Sequence, residues 1–275
     1  ATHGRGIWII DDLTPLRALT PQMLEQEVAF LRTRPSVQSI PASGGWVNGD
    51  AAFVGQNPSG DAAIVYYQKR RHIFGDLKME ILDAGGQVVS TVGSTKRRGL
   101  CRASWSMRMK PPRVPTAASA AGGAFIGPRL LPGTYTVRMT KDQTTYTTPL
   151  RLVADPRSKY TAAEREAEFA LATRLYDMLG DMTNAVDRIN GARLALDQRA
   201  ASLTASDPVR QQLQAASARV DALRKKIVAT KEGGMITGEE RLRENLCDLY
   251  GNVVNYEGRP TQSQLDRMGV LEKDL

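Results

Sequence analysis

The feature that most constrains this chain is a run of apolar residues in its second half. Leu171, Leu175, Met178, Met182, Ala185, Ile189, Ala192 and Leu196 are spaced four and three residues apart in alternation. Val209, Leu213, Ala216, Val220, Leu223 and Ile227 repeat the pattern. A stripe of this period runs along one side of a helix and needs a partner along its length. Ser206-Asp207-Pro208 separates the two runs, with Asp207 placed to cap and Pro208 at a first helical position. A break this short folds the second helix back on the first as an antiparallel hairpin. At 1.5 Å per residue the second arm is expected to reach roughly 35 Å and the first somewhat further. Met178 and Met182 lie on the seam and read as core rather than as a cofactor box.

Local signals bound the hairpin. Thr161 with Glu164 forms a capping box that starts the first long helix, and Asp155-Pro156 marks the boundary before it. Thr237 to Glu240 reads as the start of a further helix with the stripe Leu242, Leu246, Leu249, Tyr250 and Val253. Thr261 with Gln264 starts the last one. These short helices have one apolar face each, which the hairpin can cover.

Upstream the period changes to two. Ala62–Gln68, Leu77–Leu82, Gln87–Val92, Cys101–Met107, Leu131–Met139 and Thr144–Val153 read as short strands, with Asp83-Ala84-Gly85-Gly86 as a hairpin turn. Cys101, Ala103 and Trp105 share one side of their strand; Tyr135, Val137 and Met139 share a face of theirs. About six short strands around a central Trp argue for an immunoglobulin-like sandwich. Residues 108–130 interrupt it with a proline-rich start and a small-residue tract, and read as a long insertion that is either floppy or a docking segment. Before the strands, Ile7-Trp8-Ile9-Ile10 reads as a strand, a short helix after Thr20 carries Leu24, Val28 and Leu31, and residues 35–61 read as loop with Trp46 at its middle. The expected chain is α+β: an N-terminal arm over 1–61, an Ig-like β-sandwich over 62–154, and over 155–275 the long antiparallel helical hairpin with two short C-terminal helices.

Charge is placed unevenly. Residues 156–275 hold 18 Lys and Arg against 18 Asp and Glu. Residues 69–113 hold eleven basic side chains against Asp76, Glu80 and Asp83, an excess equal to the +8 of the whole chain. Lys69-Arg70-Arg71 and Lys96-Arg97-Arg98 are its densest points. Such asymmetry favours an acidic protein surface or anionic lipid head groups, the alternative being a solvated sheet face. Nucleic acid fits less well, because no aromatic series interleaves the cations.

Little points to chemistry. His3 and His72 are not at ligand spacing, no Cys/His cluster exists for zinc, and no nucleophile motif accompanies either histidine. Asp11 and Asp12 are adjacent and on a strand would face opposite ways. No phosphate-cradling loop is present, since GQNPSG and GGAFIG lack the lysine and the strand-to-helix setting. Trp46 with Tyr66 or Tyr67 offers a minor case for sugar binding. Cys101 and Cys247 are either bridged or two buried free thiols. No apolar run approaches the roughly 20 residues that cross a bilayer, and no signal-type stretch opens the chain, which is expected to be a mature or trimmed product.

An ordered set of segments adds a resemblance. ATHGRGIWIIDDLTPLR, EILDAGGQVV, ASWSMR, GPRLLPGTYTVRM, PLRLVADPR and the tail LYGNVVNYEGRPTQSQ resemble the C-terminal region of large exported bacterial proteins with a BNR-repeat, sortilin-type β-propeller, often labelled glycosyl hydrolase. The resemblance implies an Ig-like module after a final propeller strand, then a helical tail, on the periplasmic or extracellular side of the membrane. The propeller has no counterpart in this sequence, so none of its residues carries over, and strand 7–10 is left to pair elsewhere. The expectation is a non-catalytic interaction module: an accessory subunit docking to other protein subunits of an extracytoplasmic or membrane-associated assembly. Lys69, Arg70, Arg71, Lys96, Arg97, Arg98 and Trp8 are the expected docking residues, with no catalytic residue, cofactor or metal assigned. The alternatives are a C-terminal fragment of a propeller glycosyl hydrolase and a carbohydrate-binding module.

Overall fold

The computed structural model describes residues 10, 12–39, 59–233 and 238–275. Strand 7–10 (save Ile10), Trp8, Trp46 and Thr237 therefore lie outside the described residues. The chain is α+β and divides into two compact units: a sheet unit of residues up to Arg108 with Leu131–Ser158, and a helical unit of Met109–Leu130 with Lys159–Leu275.

The sheet unit begins with two single-turn helices, α1 (Thr14–Ala18) and α2 (Pro21–Glu25). Asp12 Oδ1 accepts from Thr14 N at 2.9 Å, and the Thr20 hydroxyl accepts from Met23 N. The helix expected to run on through Val28 and Leu31 stops at Glu25. Val28–Phe30 is instead a strand, β1, which pairs antiparallel with β3 (Ala62–Gln68). Here tertiary pairing outweighs the three-four spacing: Val28, Ala29 and Leu31 are buried and Phe30 meets the edge of the Tyr66 ring.

β1, β3 and β6 (Gly99–Trp105) form a three-stranded sheet. β2 (Ser36–Gln38), β8 (Thr144–Ala154), β7 (Gly133–Lys141), β4 (Leu77–Leu82) and β5 (Val88–Val92) form a five-stranded sheet in that order, curled into a half-barrel. β2 runs parallel to β8; the other pairs are antiparallel. The turn between β4 and β5 is the expected one, with Gly86 at φ +79 and the Asp83 carboxylate accepting from Gln87 N. Alternate residues point inward as the period requires: Cys101, Ala103 and Trp105 from β6, Tyr135, Val137 and Met139 from β7. Trp105 and Tyr135, from different sheets, meet edge to face with centroids 5.8 Å apart.

In the helical unit α3 (Ala162–Ala201) is a 40-residue helix, about 60 Å long. α4 (Pro208–Ile227), α5 (Leu242–Val254) and α6 (Gln262–Asp274) pack against it or each other. The capping boxes at Thr161 and Thr261 are both made, and Asp207 caps α4 through Val209 N at 2.8 Å. The α3 seam is buried from Leu171 to Met182, after which Val186 takes the buried place and Ala185 is half-buried; α5 and the 109–130 segment contribute to the same core. Further out it has α4 alone, so Ile189 and Leu196 are half-buried and Ala192 is exposed. On α4 the facing stripe is Leu213, Ala216, Ser217, Val220 and Ile227, whereas Val209 and Leu223 point to solvent. α5 starts at Leu242, later than the Thr237–Glu240 signal, because Glu239 turns back to accept from Thr230 N at 2.6 Å.

Residues 109–130 are no floppy insertion. They form a strap built into the helical core, where Ala121 and Ala124 are buried among Leu175, Leu246 and Tyr250. Tyr250 donates its hydroxyl to Ile126 O at 2.7 Å, Thr183 to Arg113 O at 3.0 Å, and Ala118 N to Ala229 O at 3.2 Å. Cys101 and Cys247 are free and buried, one in each unit. Burial pushes the Cys247 thiol up to about 12 and that of Cys101 upward.

Candidate docking surface

The two basic triplets, 25 residues apart at Arg71 and Lys96, meet at one end of the sheet unit. β3 ends at Gln68 and β6 begins at Gly99, directly across from it in register. The loops that leave those positions, 69–76 and 93–98, must therefore run side by side. Gln68 is fully buried and ties them: its Nε2 donates to Thr95 O at 2.8 Å and to Arg97 O at 2.9 Å. The Tyr66 hydroxyl accepts from Thr95 N at 3.0 Å, and burial pushes its own pKa up to about 12. His72 N donates to Lys96 O at 2.9 Å, and Lys96 Nζ to Gly75 O at 3.0 Å.

The cations differ in what they touch. Lys69 Nζ reaches Glu25 Oε2 at 2.8 Å and holds that carboxyl below its usual range. Lys96 is used in holding its neighbour loop. Arg70, Arg71, Arg97 and Arg98 are exposed, and none of their guanidinium groups forms an ion pair or hydrogen bond among the described residues. Arg70 exerts only a longer-range pull on Glu27, whose carboxyl is held down chiefly by Lys141 at 2.5 Å. Of the expected docking residues, then, six lie on two adjoining loops and Trp8 lies outside the described residues.

The 69–76 loop also carries two exposed apolar residues, Ile73 at 64% and Phe74 at 86%, which follow the first triplet in sequence. They are pinned on both sides. His72 is buried beneath them with Nε2 3.8 Å from Asp142 Oδ1, and Asp142 N donates to Asp76 O at 3.0 Å. Gly75 sits at φ +83, and a Cβ there would stand 2.1 Å from Asp142 Oδ1, so the turn requires glycine. The signal for the pair was an Ile-Phe step outside any periodic run, followed at once by Gly-Asp.

A cleft of about 580 Å³ in the same unit is floored by Phe30, Ile64, Val137 and Leu150, with Arg32 and Arg151 at its rim. Among the described residues its lining contains no carboxylate, imidazole or thiol. Among the described residues no group of three or more His, Cys, Asp or Glu stands together to hold a metal, and no helix is long and apolar enough to cross a membrane. Compared with known proteins, the chain matches no family model, no curated protein and no solved structure.

Proposed function

We propose that this chain is a non-catalytic interaction module, an accessory subunit that docks through the basic end of its sheet unit. The observation that carries the reading is the juxtaposition of the two triplet loops, with four guanidinium groups that have no acceptor among the described residues. Exposed cations held by buried hydrogen bonds beneath them raise association rates with acidic surfaces and contribute little to the fold. The frame that presents them reads as a variant of the Ig-like sandwich. Tyr135 supports this, donating its hydroxyl to Leu131 O at 2.8 Å as a tyrosine-corner residue does, while it packs on Trp105. The segments that resemble the tail of exported propeller proteins support an extracytoplasmic setting.

Polyglutamate is the simplest acidic probe. The chain should bind it with a rate that falls as salt rises, and Arg97→Glu with Arg98→Glu should slow association and flatten the salt dependence. Unchanged association in that variant would overturn the reading.

A further inference from the structure

The basic end combines two features that an acidic protein alone does not call for, and we propose that its partner is an anionic bilayer surface. Ile73 and Phe74 enter the interfacial layer while Arg70, Arg71, Arg97 and Arg98 lie at the level of the phosphates. This rests on the docking reading above and names its partner. A Phe at 86% exposure is costly to leave in water, and a second large apolar residue beside it makes a tip rather than a scattered surface residue. The loop is tied on both sides of the pair: His72 N donates to Lys96 O before it, and Asp76 O accepts from Asp142 N after it. Its ordering cost is thus met by the fold before any contact with lipid.

The same two loops carry the cations: Arg70 and Arg71 precede Ile73 and Phe74 on one, and Arg97 and Arg98 follow, on the other, the Lys96 carbonyl that accepts from His72 N. Membrane attachment of this peripheral kind needs two signals together, apolar area and positive charge, because either alone is marginal. Each cation near an anionic leaflet raises affinity roughly fivefold, and burying a side chain such as Phe adds roughly tenfold or more.

The test uses the whole chain with vesicles of phosphatidylcholine alone or mixed with phosphatidylglycerol, and polyglutamate as the protein-like control. The chain should sediment with the mixed vesicles and not with phosphatidylcholine. Phe74→Ser with Ile73→Ser should weaken that binding roughly a hundredfold and leave polyglutamate binding unmoved. Arg97→Glu with Arg98→Glu should weaken both and slow association with polyglutamate. Phe74→Trp should become quenchable by acyl-brominated lipid beyond the quenching of the parent chain. Vesicle binding that ignores the Ser substitutions, with an unquenched Trp, overturns insertion while leaving a charge-only dock. Binding to polyglutamate without vesicles overturns the bilayer partner in favour of an acidic protein. Binding to neither overturns the docking reading as well.

Discussion

Arg243 in the helical unit and Arg97 with Arg98 in the sheet unit are the same side chain in opposite surroundings. Arg243 is 3% exposed and donates to Pro115 O, Ser119 and the Glu244 carboxylate, the last at 2.6 Å. Arg97 and Arg98 stand in solvent with no acceptor among the described residues. Elsewhere in the helical unit the same economy holds: Arg193, Arg224 and Lys225 converge on the single carboxylate of Asp221. A cation whose donors meet acceptors of its own unit holds its own chain together. One whose donors are vacant, on a loop fixed from below, is available to something else. Net charge alone would not have separated the two, since only the partners of each side chain do.

The comparison breaks first at Arg243. Arg243→Met removes a buried donor that the strap carbonyls and Glu244 depend on, and leaves the Glu244 carboxylate with only Ser119. Breaking a buried pair in this way should cost about 3 kcal/mol in urea unfolding. Adding Glu244→Gln should recover part of that, because the stranded charge goes with it. A loss under about 1 kcal/mol would mean that Arg243 does not hold the strap.

Gly251→Ala tests the same strap by packing rather than charge. A Cβ on Gly251 would stand 2.6 Å from Gly123 Cα, a backbone atom that no rotamer can move aside. The expected cost is about 1–3 kcal/mol, with faster amide exchange over residues 114–126. Vesicle and polyglutamate binding should be unaffected, since the substitution lies in the other unit.

These two sites also show what could be read from the chain and what could not. The capping boxes at Thr161 and Thr261 are complete within four residues, and the seam from Leu171 to Met182 repeats locally, so helix starts and the hairpin were legible. Strand faces such as Cys101, Ala103 and Trp105 were legible for the same reason. The strap was not, because Gly123 meets a glycine 128 residues further on and Ala121 and Ala124 follow no period. β1 was misread because Leu24, Val28 and Leu31 suit a helix until β3 offers Val28 its ladder. At the basic end the cations were legible as composition. Their meeting depends on the register of Gln68 with Gly99, and Ile73 and Phe74 have no pattern to announce them.

Asp221 gives a smaller effect with a definite pH window. Lys225 first, then Arg224, hold its carboxyl down to about 2. Its folded pKa lies below the unfolded value of about 3.9, so its stabilisation is complete above about pH 4 and is lost as pH falls through about 2. Two of its partners are on its own helix and all three are partly solvated, which limits the contribution to about 1 kcal/mol. The stability difference between the parent chain and Asp221→Asn should close between pH 4 and 2 in urea titrations. A difference that stays constant over that range would assign the effect to packing instead.

The smallest expected change in stability is at the docking surface, and it is the sharpest check on the contrast with Arg243. Arg97→Glu with Arg98→Glu alters two exposed side chains with no acceptor among the described residues, so the unfolding free energy should move by no more than about 0.5 kcal/mol. The backbone oxygen of Arg97 keeps its bond from Gln68, which the substitution does not touch. Association with anionic surfaces should nevertheless weaken, because a repulsive pair replaces an attractive one at the point of contact. A loss of stability above about 1 kcal/mol would show that these arginines serve the fold as Arg243 does. The vacancy around them would then no longer mark a surface kept for a partner.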